Sequence, residues 1–164
     1  MSNQFLTFKL ESSQYAVEVC NVMEVLEYTH ITKVPCAAVY MEGLINSRGR
    51  VISVVNLRKK FGMSEVPVTK DTRIIVMEIN TGENVIAFGA IADSVQEVID
   101  LEDEKIEASP KFGNSIAAQY IRGIGKRDET FIIILNVDQI FSSAEIANME
   151  TIVSMSQDAV EQES

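Results

Sequence analysis

"RVISVVNL", residues 50–57, and "TFIIILNV", residues 130–137, align without a gap, and the match spreads outward from them. Tyr40, Gly43, Ile52, Asn56 and Phe61 recur as Tyr120, Gly123, Ile132, Asn136 and Phe141 at a constant offset of 80. Upstream, "VMEV" (22–25) resembles "VQEV" (95–98) at a looser offset of 73. Similarity at a fixed spacing marks one supersecondary unit used twice. The chain reads as two similar small barrels, the first at about 12–68 and the second at about 72–141, with a boundary in "GMSEVPVTKDT" (62–72). Half of a 164-residue chain is too small to be comfortably stable alone, so the two should share an apolar seam.

Around the repeat the pattern is mainly β. "QFLTFKL" is a short apolar segment nearly alternating at its end, "QYAVEV" alternates apolar and polar residues, and "LESSQ" between them has turn chemistry, so a hairpin is expected there. Further strands are expected at "GLINS", "RVISVVN", "TRIIVMEI", "NVIAFGAIA", "SVQEVID", "YIRGIG" and "TFIIILNV", with turns at "NTGEN" and "GKRDET". Helical signals are short until the end. There Ser142 and Glu145 fit a capping box, and Ile146, Met149 and Val153 share one face of a helix at about 143–155. Residues 156–164 are polar and acidic and are expected as a flexible tail.

Composition removes several function classes. A formal charge of -10 opposes general nucleic-acid binding. No apolar run reaches the roughly 18 residues of a membrane span, and "MSNQFLTFKL" has no signal-peptide layout, so a cytoplasmic protein is expected. Cys20 and Cys36 form no CxxC pair and read as buried, reduced thiols. His30 is the only histidine, so a metal cluster built on several histidines is excluded and no metal or cofactor is expected. "GIGK" (123–126) lacks the spacing of a phosphate loop, and "DLEDEKIE" (100–107) reads as a solvated run of carboxylates. No catalytic constellation emerges. A small carboxylate hydrolase has no second signature to support it.

Recognition remains, and the charge pattern gives it an address. Arg48, Arg50, Arg58, Lys59 and Lys60 are five of the 14 basic residues, all within "NSRGRVISVVNLRKK" (46–60). The aligned turn of the second unit is "KRDET", where Asp128 and Glu129 stand for Arg48 and Gly49. Barrel formation therefore does not need an arginine there. Its planar guanidinium suits bidentate pairing with a partner's carboxylate, and Gly49 permits a positive φ. Arg58, Lys59 and Lys60 fall on a short helical turn that reads equally as a solvated face or a contact.

"FLTFKLESSQYAVEVCNVMEVLEY" and "VYMEGLINSRGRVISVVNLRKKFG" resemble the CheW family of bacterial chemotaxis coupling proteins. The family's G-x-x-N-x-R-G turn and following basic run appear here as Gly43, Asn46, Arg48, Gly49, Leu57, Arg58, Phe61 and Gly62, and the likeness spans about residues 4–150. The resemblance implies two five-stranded SH3-like barrels packed pseudosymmetrically, and a non-enzymatic adaptor. It would join the cytoplasmic hairpin tip of methyl-accepting chemoreceptors to the regulatory domain of a CheA-type histidine kinase, meeting the membrane only through receptors. A scaffold of another kinase pathway is the alternative within this fold. Receptor-contact positions carried across are Val22, Glu24, Gly43 and Arg48, with Gly49 beside them. Kinase-binding candidates on the second barrel are Ile121 and Gly123. Ser47, Ser53, Asn56 and Glu42 depart from the family's usual Leu, Pro, Asp and basic residue.

Overall fold

Alternating apolar residues give strands, and in this chain many strands are apolar on both faces because each barrel wall also faces the other barrel. The computed structural model describes residues 2–34, 39–80, 85–102, 105–107, 120–127 and 129–163. Cys36, most of the expected turn at 80–84, and Asp128 lie outside them, as do residues 103 and 104 of the carboxylate run. The strands are β1 (Ser2–Leu10), β2 (Ser13–Glu18), β3 (Val22–Glu27), β4 (Met41–Ser47), β5 (Arg50–Asn56), β6 (Arg73–Asn80), β7 (Val85–Ala92), β8 (Ser94–Glu102), β9 (Ile106–Glu107), β10 (Ile121–Arg127) and β11 (Thr130–Leu135). Two helices join them, α1 (Leu57–Lys60) and α2 (Ser143–Glu163). All the strands expected from alternation form, including the β1–β2 hairpin. The short β3 and β9 are additions, because "VMEVLE" carries exposed apolar Met23 and Val25 and shows no apolar–polar alternation.

One sheet has the order β3-β6-β7-β5-β4 and the other β8-β1-β2-β11-β10-β9. This corrects the expected division at 62–72. The strands of residues 73–92 belong with β3–β5 in the first barrel, and the second takes the N-terminal hairpin and everything from β8 on. The physical reason is long-range pairing: β5 runs parallel to β7, and β11 runs parallel to β2. No local turn signal announces either partnership. The first sheet closes when the chain beyond β3 bridges Thr32 to Leu44, and β9, continuing from β8, flanks β10 in the same way.

The internal repeat is structural. The Asn56 N–H donates to the Tyr40 carbonyl at 2.7 Å, and the Asn136 N–H to the Tyr120 carbonyl at 2.8 Å. A bulge falls between Met41 and Gly43 and again between Ile121 and Gly123. At both glycines the neighbouring backbone comes too close for a side chain: a Cβ would lie 2.0 Å from the Thr32 carbonyl oxygen at Gly43 and 2.7 Å from that of Glu107 at Gly123. The rings even exchange partners across the seam. Tyr40 packs on Phe141, and Tyr120 on Phe61, both with centroids 5.8 Å apart.

Among the described residues the largest buried cluster is this seam, with 21 members drawn from both sheets, including Phe8, Tyr15, Phe61, Met77, Phe88 and Phe141. The barrel interiors hold clusters of only 6 and 5. Each fully buried Leu, Ile or Phe contributes roughly 1.5–3 kcal/mol, so most of the hydrophobic stabilisation lies between the barrels. α2 starts on the expected capping box: the Ser142 N–H donates to Glu145 Oε1, and the Glu145 N–H to Ser142 Oγ. It does not stop at 155. Residues 156–163, expected as a tail, continue the helix. Cys20 is exposed rather than buried, because it sits on the short turn joining β2 to β3.

Candidate partner-binding site

Ser47 and Arg50 are the last pair of the β4–β5 ladder, leaving Arg48 and Gly49 as a two-residue loop. Their φ angles are 56° and 81°. Positive φ at both positions is the type I′ pattern, whose twist matches the strands and which favours Asn-Gly. Glycine accepts it freely, whereas a residue with a Cβ is held there at a cost of about 1 kcal/mol. The Gly49 N–H donates to Asn46 Oδ1 at 3.0 Å, which fixes the loop from inside.

The Arg48 side chain is 87% exposed and reaches Glu24 of β3 at 3.6 Å. The Ser47 hydroxyl donates to the same carboxylate at 3.4 Å. Glu24 thus bridges the lip of the first barrel, between two strands that do not pair there. An ion pair this long and exposed is worth under about 1 kcal/mol, so the guanidinium is free to exchange Glu24 for a partner's acceptor. Of the sequence candidates, Glu24, Arg48 and Gly49 meet at this lip, and half-buried Val22 lies two residues back along β3. Gly43 does not join them. It is buried at the bulge against Thr32.

The solvated-face reading of this short helical turn fails for Arg58 and Lys60. Arg58 is 6% exposed. Its Nε and Nη2 donate to the two Asp93 oxygens at 3.0 and 2.5 Å, and Nη1 donates to the Ser64 carbonyl. Burial alone would raise the Asp93 carboxyl, but the Arg58 guanidinium and the Glu11 N–H hold it below its ordinary value. The Lys60 side chain is only 7% exposed. It pairs with Glu145 at 2.6 Å and lies 4.4 Å from the Tyr40 ring centre. Burial pushes the Glu145 carboxyl up, yet Lys60, the Ser142 N–H and the Tyr40 hydroxyl bring it down to about 2. Lys59 pairs with Glu42 and Glu65 at 2.9 and 3.0 Å. Asn56 caps α1 and also donates to Glu42 at 3.2 Å, so Glu42 supplies beside Lys59 the negative charge that Asn56 lacks. Ser53 is fully buried, and among the described residues its hydroxyl has no hydrogen-bond partner.

On the second barrel, Ile121 is 8% exposed and Gly123 is buried against β9, so both shape β10 from within. The open apolar surface lies beside them. Phe131 is 63% exposed at the rim of a groove of about 820 Å³ lined also by Ile124, Ile133, Ser13, Gln14 and Lys9. The sequence carried a signal for Phe131: it sits out of phase with Ile132 and Ile134, which fill the barrel. The first barrel's matching face, Arg50, Val51, Val85, Ile86 and Ala87, adjoins Glu150, Val153 and Ser154 of α2.

Two barrels sharing one core, with an exposed basic turn on one and an open apolar groove on the other, define a two-barrel binding module. The CheW-like domain model matches residues 4–145, and the chain belongs to that family. It is 28% identical over 152 residues to chemotaxis protein CheW of Klebsiella aerogenes, covering 93% of this chain and 89% of that one. To chemotaxis protein CheW of Thermotoga maritima it is 34% identical over 140 residues, covering 84% and 86%. The crystal structure of the scaffolding protein TtCheW from Thermoanaerobacter tengcongensis superposes with a TM-score of 0.78 at 34% identity, over 88% of this chain and 91% of that one. The chain is therefore a non-enzymatic chemotaxis scaffold of the CheW type, with the family's SH3-like double barrel. Among the described residues no helix is long and apolar enough to cross a membrane.

Proposed function

We propose that this protein couples chemoreceptors to a CheA-type histidine kinase in the cytoplasm, with separate faces for the two partners. The receptor's hairpin tip docks at the lip carrying Val22, Glu24, Arg48 and Gly49. The kinase's regulatory domain docks on the second barrel, over the groove rimmed by Phe131, while Ile121 and Gly123 set the shape of the wall beneath. One observation carries the reading: Arg48 projects into solvent from a backbone conformation that costs stability, its side chain weakly paired to Glu24. A residue kept at such a cost is kept for something other than the fold.

The test is a pair of titrations on the full chain, one with a soluble receptor hairpin tip and one with an isolated kinase regulatory domain. Arg48→Ala is expected to weaken tip binding by on the order of 2 kcal/mol and leave kinase binding unchanged. Arg48→Lys restores only part, because an ammonium keeps the charge without the planar fork. Phe131→Ser is expected to do the reverse. Equal losses of both affinities in either variant would refute the two-face arrangement.

A further inference from the structure

The loop that presents Arg48 is held from a second side, by the last turns of α2. The Val51 N–H donates to Gln157 Oε1 at 2.7 Å, and Gln157 Nε2 donates to the Gly49 carbonyl at 2.9 Å. One carboxamide thus offers an acceptor and a donor to backbone two residues apart, much as a neighbouring strand would. β5 needs such a partner here, because its ladder with β7 begins only at Ser53.

The consequence for Arg48 is geometric. Asn46 holds the Gly49 N–H, which orients the peptide after Arg48. Gln157 holds the Gly49 carbonyl, which orients the next peptide. With both planes fixed, the loop cannot relax toward a conformation easier for a residue with a Cβ, and the Arg48 side chain leaves from a set direction. The second unit has Asp128 and Glu129 aligned with Arg48 and Gly49, and among the described residues the strand that α2 packs on most is β5. The clamp thus belongs to the loop that carries the arginine.

We infer that Gln157 is a positioning residue for receptor binding: α2 clamps the Gly49–Val51 backbone and so aims Arg48 at the receptor. This rests on the receptor reading above and extends the site to a helix 106 residues away in sequence. The clamp costs the partner nothing in ordering entropy, because the loop is fixed before the receptor arrives.

Three measurements on the full chain test it: tip affinity, thermal melting, and amide hydrogen exchange at Val51. Gln157→Ala is expected to weaken the receptor hairpin tip at least fivefold and to speed Val51 exchange about tenfold. Its melting temperature should stay within about 2 °C of wild type. Gln157→Glu, which still accepts from Val51 but cannot donate to Gly49, should keep Val51 protected and yet lose tip affinity. In an Arg48→Ala background, Gln157→Ala should cost no further affinity, a non-additivity that general destabilisation does not produce. Wild-type tip affinity in Gln157→Ala despite faster Val51 exchange overturns the positioning role, as does an equal loss with and without Arg48. Failure of the receptor reading looks different. Wild type and variants alike would leave the tip unbound, while Val51 exchange still separated Gln157→Ala from wild type.

Discussion

Arg48 occupies a backbone position that asparagine fills at lower cost, and that difference is measurable. Arg48→Asn creates the favoured Asn-Gly loop and is expected to stabilise the protein by about 0.5 kcal/mol. The same change should weaken the receptor tip as severely as Arg48→Ala. A thermal melt beside a tip titration checks both, and a variant that melted earlier would show that the Arg48–Glu24 pair outweighs the backbone strain. The exposure of Arg48 was legible in the sequence because the repeat supplied an internal control, an aligned turn without the arginine. Arg58 and Lys60 were not legible. Whether a basic side chain is buried depends on what meets it, and their partners, Asp93 and Glu145, lie 35 and 85 residues away. A run of charge in sequence looks alike whether it faces water or closes a core.

The N-terminus of α2 is joined to the first barrel through a few polar groups. Glu145 caps the helix, pairs with Lys60 of α1 and accepts from Tyr40, and the same carboxylate pushes the Tyr40 hydroxyl well above its ordinary range after burial has raised it. The Glu145 carboxyl titrates at an ordinary 4.5 when unfolded and at about 2 when folded. Its contribution is therefore complete above about pH 4.5 and is lost as pH falls toward 2. A shift of that size corresponds to about 3 kcal/mol at most. Glu145→Gln should lose stability at pH 7, because Lys60 is left buried without its counter-charge, and should show a flatter acid limb than wild type between pH 5 and 2. Parallel denaturant melts across that window check it. Equal slopes would mean that other carboxylates carry the acid sensitivity. The capping box and the apolar spacing were enough to place the start of this helix from sequence. Its end was not legible, because "SQDAVEQES" has only Ala159 and Val160 as apolar residues and nothing local reveals that Gln157 finds the backbone of β5.

The molecule as a whole is a repeat whose halves are not consecutive. The repeat was visible where β4 and β5 match β10 and β11, but β6 and β7 correspond to β1 and β2, at the opposite end of the chain. Reading along the sequence therefore finds the two barrels and misplaces the boundary between them. The first barrel is nevertheless one continuous segment, residues 20–93, with every strand of its sheet present. Hydrogen-bonded completeness and hydrophobic completeness make opposite predictions for that segment. Its own interior cluster has 5 buried members, while about half of the 21-residue seam would be stripped to water. A fragment of 20–93 should consequently show no cooperative thermal transition, despite containing a whole sheet. The sharper comparison adds a second fragment, residues 94–164 joined by a flexible linker to residues 1–19. Mixing the two should restore a single transition, since the seam then closes and contributes most of the hydrophobic term. Cooperative melting of 20–93 alone, monitored by calorimetry and near-ultraviolet circular dichroism, would show that the barrel's ladder suffices. The shared seam would then be an interface between two stable domains, and the receptor and kinase faces could shift relative to each other. A single core instead makes them one rigid body, which is what a scaffold needs if occupancy on one barrel is to fix the position of a partner on the other.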